Sequence, residues 1–286
     1  MLVVGCAANG DAAPADAGIT DGAAGDATPT TCTDPPNQQP DGGVCLLSVS
    51  GKLVDEAGAP LANVPVSVCG SACFYGRAAA DGAFTVAIRQ HLQLSYYALD
   101  VDGRPDRLNY YVVLPTPTSG TVSFAAPLID LLLPASGPEI KLDGSKQTLT
   151  AGDVTIEVAQ DTQVMIDVED EAIAPLGHQF RPVTIKDPKS LPFVDAAHPP
   201  DALFGFAPFE AEFSVKTPVS FKNVANLPAG AAVDVLAQRG LNGLVEPPPG
   251  IFARVAGAHV SMDGTQVTMD PGEGITHLTW LALVKK

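Results

Sequence analysis

Residues 45–70 read CLLSVSGKLVDEAGAPLANVPVSVCG. Leu47, Val49 and, beyond Gly51, Leu53 are spaced two apart, and so are Val64, Val66 and Val68. A strand turns successive side chains to opposite faces, so this spacing lays each set on one side of a strand. Between the runs, Asp55-Glu56-Ala57-Gly58-Ala59-Pro60 is dense in turn-forming residues. The stretch therefore predicts two strands around a tight connection, each with one face toward a core.

The same texture continues downstream. RAAADGAFTVAIRQ (77–90) holds Asp81-Gly82, a turn dipeptide suited to positive φ, followed by Phe84, Val86 and Ile88 on one face. LQLSYYALDV (92–101), LNYYVVL (108–114) and TVSFAAPLIDLLL (121–133) complete a set of short strands whose spacing predicts a sandwich. Beyond ASGPEIKLDGSKQ (135–147) a second series begins with TLTAGDVTIEVA (148–159), VMIDV (164–168) and PVTIKD (182–187). It runs on through FEAEFSVKTPVSFKNV (209–224), AAVDVLAQRG (231–240), AHVSMDGTQVTMD (258–270) and GITHLTWLALVKK (274–286). In MDGTQVTM, Asp263-Gly264 reads as a two-residue hairpin loop. Helical periodicity is scarce, and DALFGFAPF (201–209) comes nearest to it. The expectation is an all-β chain of two consecutive β-sandwich domains, 44–135 and 136–286, after a disordered N-terminal tether.

That tether is residues 7–43. It has no aromatic residue, one large aliphatic (Ile19), and recurring aspartates with no Lys or Arg. Such a segment buries too little apolar surface to offset the entropy of ordering and repels itself. Cys32 and the proline-rich piece after it are candidates for pinning to the next domain.

Over 286 residues, 32 acids face 16 bases, a formal net charge of −16. Nucleic-acid phosphates need clustered cations, so nucleic acid is excluded as a partner; anionic lipid headgroups are repelled for the same reason. No 18-residue apolar run is present to cross a membrane as a helix. AAPLIDLLLPA (125–135) is broken by Pro127, Asp130 and Pro134 and reads as a buried strand or connection.

The five cysteines, Cys6, Cys32, Cys45, Cys69 and Cys73, all lie in the first quarter of the chain. With Cys6 set aside, four remain, which allow three pairings. An oxidising compartment makes them disulfides. Cys69 and Cys73 could staple a tight turn, leaving Cys32 for Cys45. A metal reading lacks CxxC spacing and any histidine within a few residues of a cysteine.

Candidate chemistry is sparse. Asp100, Asp102 and Asp106 in ALDVDGRPD (98–106) offer oxygen ligands of the kind Ca²⁺ takes, although a hairpin turn with surface aspartates explains them equally. Asp167, Glu169, Asp170 and Glu171 in IDVEDEA (166–172) could pair for acid–base work as in glycosidases, or form a solvated acidic loop. Tyr96, Tyr97, Tyr110 and Tyr111 could stack on sugars, but neighbours on a strand face opposite ways, which favours core packing. His277, beside the single tryptophan Trp280, reads as a half-buried strand histidine. No GxSxG, HExxH, P-loop or GxGxxG motif occurs. Neither catalytic residues nor a cofactor are expected.

VSGKLVDEAGAPLANVPVSV followed by AADGAFTVAI resembles the carboxypeptidase regulatory-like domain over residues 45–134. Gly51, Asp55, Gly58, Pro60, Leu61, Val64, Val66, Val68, Asp81, Gly82 and Phe84 carry the likeness. The usual closing Gly-Tyr is missing. The resemblance implies a transthyretin-like sandwich serving as stalk, spacer or binding module, without catalysis. Over 136–286, GDVTIEV, PVSF, LPAGAAVDVL, DGTQVT and above all GITHLTW look like the extracellular β-sandwich shared by zonula occludens proteins, ankyrins and netrin receptors. That likeness implies an interaction or structural module.

Val3-Val4-Gly5-Cys6 resembles the lipobox of bacterial lipoproteins: an aliphatic residue, a tolerant position, a small residue, then Cys. The resemblance implies a diacylglyceryl group on Cys6 and residues 1–6 as the remnant of a signal. The family's basic and longer apolar regions would precede it, so the start is expected to be placed late or cut. Ala7 in place of Asp implies the outer membrane. The expected protein is a non-enzymatic surface lipoprotein, membrane-bound only through its anchor, presenting its modules for adhesion, scaffolding or capture of an extracellular protein or glycan. A carbohydrate-binding pair and a secreted hydrolase are the alternatives.

Overall fold

The computed structural model describes residues 31–117, 120–241 and 249–286. The Val3–Cys6 motif and residues 7–30 of the tether lie outside them. The fold is all-β, with 43% strand and 6% helix. Among the described residues no helix is long and apolar enough to cross a membrane.

The first half contributes β1 (Val44–Val54), β2 (Pro65–Cys69), β3 (Cys73–Arg77), β4 (Ala83–Leu92), β5 (Ala98–Val101), β6 (Tyr110–Val113), β7 (Thr121–Ser123) and β8 (Leu128–Ile129). One sheet runs β4-β1-β7, with β8 also pairing β1; the other runs β3-β2-β5-β6. Both sheets feed one core, in which Val49, Val66, Val68, Val86 and Leu99 are each buried. The alternation in β4 is as expected: Phe84, Val86 and Ile88 are all buried. In β1 the register against β4 slips between Leu46 and Ser48. This bulge turns Leu46, not Leu47, inward beside Val49, because an extra residue re-phases the strand.

Turn chemistry follows the sequence closely. Asp55 Oδ1 accepts the amides of Ala57 and Ala59, at 2.9 and 2.8 Å, and Gly58 takes φ +80°. Gly82 also sits at φ +80°, and a Cβ there would lie 2.3 Å from the Leu53 carbonyl oxygen. Only glycine satisfies both conditions.

The second half adds β9 (Gln147–Ala151), β10 (Val154–Val158), β11 (Val164–Met165), the one-turn α1 (Val168–Glu171), β12 (Val183–Thr184), β13 (Ala202–Gly205), β14 (Ala211–Thr217) and β15 (Val219–Lys222). It ends with β16 (Ala232–Gln238), β17 (Phe252–Val260), β18 (Gln266–Met269), β19 (Ile275–Leu278) and β20 (Leu281–Lys285). Nine strands form one sheet in the order β12-β13-β20-β16-β17-β18-β15-β10-β9, and a small sheet runs β11-β14-β19. Two stretches that read as single strands are split between these sheets. Pro218 separates β14 from β15, and Thr279-Trp280 separates β19 from β20. The Asp263-Gly264 hairpin is real but wider than a two-residue loop. The Ser261 amide bonds the Gln266 carbonyl across Met262–Thr265, and Asp263 Oδ1 gathers Ser261 Oγ, Thr265 N and Thr265 Oγ1.

The two halves share a seam. The first core takes in Ile185, Leu191, Leu203, Ala207, Phe209 and Trp280 as well as its own strands. Trp280 is fully buried, edge-on to Phe193 at 4.8 Å, and donates its indole N–H to the Asn109 carbonyl at 2.7 Å. A second core, around Phe204, Phe221, Val233 and Val267, belongs to the later strands alone.

The described start of the chain follows the body of the fold. Cys32 is bonded to Cys45 on β1, and Cys69 to Cys73 across the β2–β3 turn. Thr33 N–H donates to the Arg89 carbonyl, and Asp34 accepts from the His91 amide and faces its ring.

Candidate binding cleft

The two acidic stretches singled out in the sequence meet at the seam. Asp100 and Asp102 come from β5 and the turn beyond it; Asp167 caps α1 and Glu169 and Asp170 lie within it. The Asp167 side chain accepts the Glu169 amide at 3.0 Å, an N-cap that starts this short turn. Between the stretches stands Arg104. Its Nε and Nη2 reach Asp102 at 2.9 and 3.2 Å, and Nη1 lies 3.5 Å from both Asp167 and Asp170. A planar guanidinium suits this task, because it presents several donors in a fixed fork.

The turn that carries Arg104 is held from both sides. Asn109, itself buried, accepts the Gly103 amide through Oδ1 at 3.0 Å, while its own carbonyl takes the Trp280 N–H. The Phe209 amide donates to Asp170 Oδ2 at 3.1 Å, which fixes α1 against the start of β14. Glu210, at φ +59°, follows Phe209. Its carboxylate accepts Tyr111 Oη at 2.9 Å and the Leu241 amide at 3.0 Å. Gly240 makes room for it: a Cβ there would stand 1.3 Å from Glu210 Oε1.

These groups border a cleft of about 210 Å³. Asp100, Asp102, Arg104, Asp167 and Glu169 give it charge, and Tyr75 and Tyr111 give it aromatic surface. Crowding of acids shows in their proton affinities. Burial, then the Asp102 charge, pushes the Asp100 carboxyl up to about 7. Burial pushes Asp170 up to about 6 despite the Arg104 charge. Glu169 is raised by its contact with Asp167 and by burial. Asp167 goes the other way: burial opposes ionisation, but its bonds to Glu169 and the Arg104 charge prevail. Arg104 is partly desolvated, yet Asp102, Asp170 and Asp167 hold its proton more tightly than usual. Clefts where neighbouring carboxyls are driven apart in this way are characteristic of functional sites.

Other sequence candidates go elsewhere. Asp106 supports the Leu133 amide through its backbone carbonyl, and the carboxylates of Asp100, Asp102 and Asp106 do not converge to a common point. Glu171 turns away to His178 Nε2 at 2.9 Å. Of the tyrosines, Tyr97, Tyr110 and Tyr111 are buried and Tyr96 is half exposed, so the four make no platform. The exposed ring at the cleft is Tyr75, at 79% exposure, which sequence spacing did not single out. His277 is half-buried on β19, as expected, beside a larger depression of about 380 Å³ that also touches Glu210. Arg104 and Glu210 were missed because their significance comes from chain segments far away in sequence.

No protein-family model matches the chain, and no curated protein matches it.

Proposed function

We propose that this chain is a non-enzymatic, lipid-anchored envelope protein that presents a rigid pair of β units for binding outside the cell. The observation that carries this is the Cys32–Cys45 bond. It cross-links the end of the Asp- and Ala-rich segment to β1, the strand that pairs with β4, β7 and β8. A chain fixed at Cys6 would transmit its load to the fold at this point. The Thr33 and Asp34 contacts to β4 reinforce the same junction. Two disulfides also suit an oxidising compartment.

Cell fractionation tests the proposal. The wild-type chain is expected in the membrane fraction and Cys6→Ser in the soluble one. Equal partition of the two would overturn it.

The cleft favours a second, compatible reading, glycan capture. Tyr75 offers an exposed ring, and Ser67, Asp100, Asp102 and Tyr111 place polar groups beside it. Titration with neutral oligosaccharides while following Tyr75→Ala distinguishes the cases. Binding lost in the variant supports capture, binding unchanged removes the cleft, and cleavage of the sugar would replace binding with hydrolysis.

A further inference from the structure

We propose that Cys32, Cys45 and His91 form a redox-gated site for a thiophilic divalent cation of the zinc class, shut by the disulfide and opened by its reduction. The sequence hides this grouping, since His91 is 46 positions beyond Cys45. The sheet creates it: in the antiparallel β1–β4 pair, Cys45 stands directly opposite His91. The two sulfurs and an imidazole nitrogen all lie within 4.8 Å of one another, at half-buried positions.

The geometry suits both states. The Cα atoms of Cys32 and Cys45 are 5.8 Å apart. In a tetrahedral zinc site, bonds of about 2.3 Å to sulfur put two thiolates about 3.8 Å apart. Opening therefore needs the sulfurs to separate by rotation of side chains that the backbone already holds near one another. Two thiolates and an imidazole are a recognised three-ligand zinc set, with the fourth position left for water. His91 is further braced. Both Asp34 oxygens lie close to its Nδ1, at 3.1 and 3.0 Å, and the His91 amide donates to the same carboxylate. Carboxylates in this role orient metal-bound imidazoles. Among the described residues the Cys69–Cys73 bond belongs to no such group, so it serves as a control.

The chemistry balances with a dithiol as reductant. The dithiol closes to its own disulfide, and its two electrons and two protons convert the Cys32–Cys45 bond to two thiols. Cation binding then displaces those two protons, so affinity rises with pH.

Cobalt(II) is the probe, added to the full chain reduced with a phosphine. One cobalt per chain is expected, with a sulfur-to-cobalt charge-transfer band that zinc abolishes and that the oxidised chain lacks. Cys32→Ser should lose the band, and Asp34→Asn should weaken binding about 10–100-fold. The double variant C69S/C73S should bind as wild type does. A band unaffected by His91→Ala, or one lost in C69S/C73S, would overturn the proposal. So would a reduced chain that binds no cobalt, whether circular dichroism shows it folded or unfolded, because the site requires the β1–β4 pairing.

Discussion

The side-chain amide of Gln238 pairs with the backbone of Tyr111 as a neighbouring strand would. Its Oε1 accepts the Tyr111 N–H at 3.4 Å, and its Nε2 donates to the Tyr111 carbonyl at 3.0 Å. β6 is the last strand of its sheet, and this one residue of β16 answers both polar groups that Tyr111 presents outward. Together with the Trp280–Asn109 bond, it docks the second half on the first. We predict that Gln238→Leu costs about 2–4 kcal/mol, because two buried backbone groups lose their partners. Gln238→Glu should also destabilise, since a carboxylate cannot donate to the carbonyl. Urea unfolding followed by circular dichroism measures both.

Removing Arg104 should strand the acids around it. The guanidinium is 14% exposed and Asp170 fully buried. Arg104→Ala is predicted to cost about 3–5 kcal/mol at neutral pH, the usual consequence of leaving buried charge without its partner. The loss should shrink toward about pH 5, where Asp170 takes up a proton. A deficit that is independent of pH would assign Arg104 a packing role instead.

Asp130 is wholly buried, and burial pushes it up to about 8 despite the Arg107 charge. Asp100 and Asp170 are raised in the same direction. Groups raised in the folded state bind more protons there than in the unfolded chain, so they stabilise at low pH and lose that contribution as pH rises. Their share of the stability should therefore fall from about pH 4 to about pH 8. Asp130→Asn, which mimics the protonated acid, should be more stable than wild type at about pH 9 and no better at about pH 4. A gain that persists at the lower pH would contradict this.

The two disulfides should differ in weight. Cys32–Cys45 closes 13 positions and Cys69–Cys73 closes 4. Loop-closure entropy gives about 3 kcal/mol for the first and about 2 for the second. Cys32→Ser should also release the Thr33–Asp34 contacts and open residues 33–43 to proteases, whereas C69S/C73S should not. Limited proteolysis with mass mapping reads the difference.

Much of this was legible in the sequence. Alternation in Phe84, Val86 and Ile88 placed β4 and its inner face correctly, and Gly58 and Gly82 stand at positive φ where the turn signals put them. Local patterns report local geometry. They did not show the bulge at Leu46–Ser48, since one extra residue leaves composition unchanged. Nor did they show that β14–β15 and β19–β20 cross between sheets, because a strand that changes partners keeps the same alternation. The acidic stretches at 98–106 and 166–172 were visible separately. Their meeting at Arg104 and the opposition of His91 to Cys45 are products of long-range pairing.

The proposed anchorage turns on the sulfur of Cys6. Mass spectrometry of the N-terminal peptide, from protein purified out of its native membranes, tests it directly. A diacylglyceryl thioether on Cys6, with Cys6 as the first residue, is the predicted result. An unmodified Cys6 still preceded by Gly5 would contradict it.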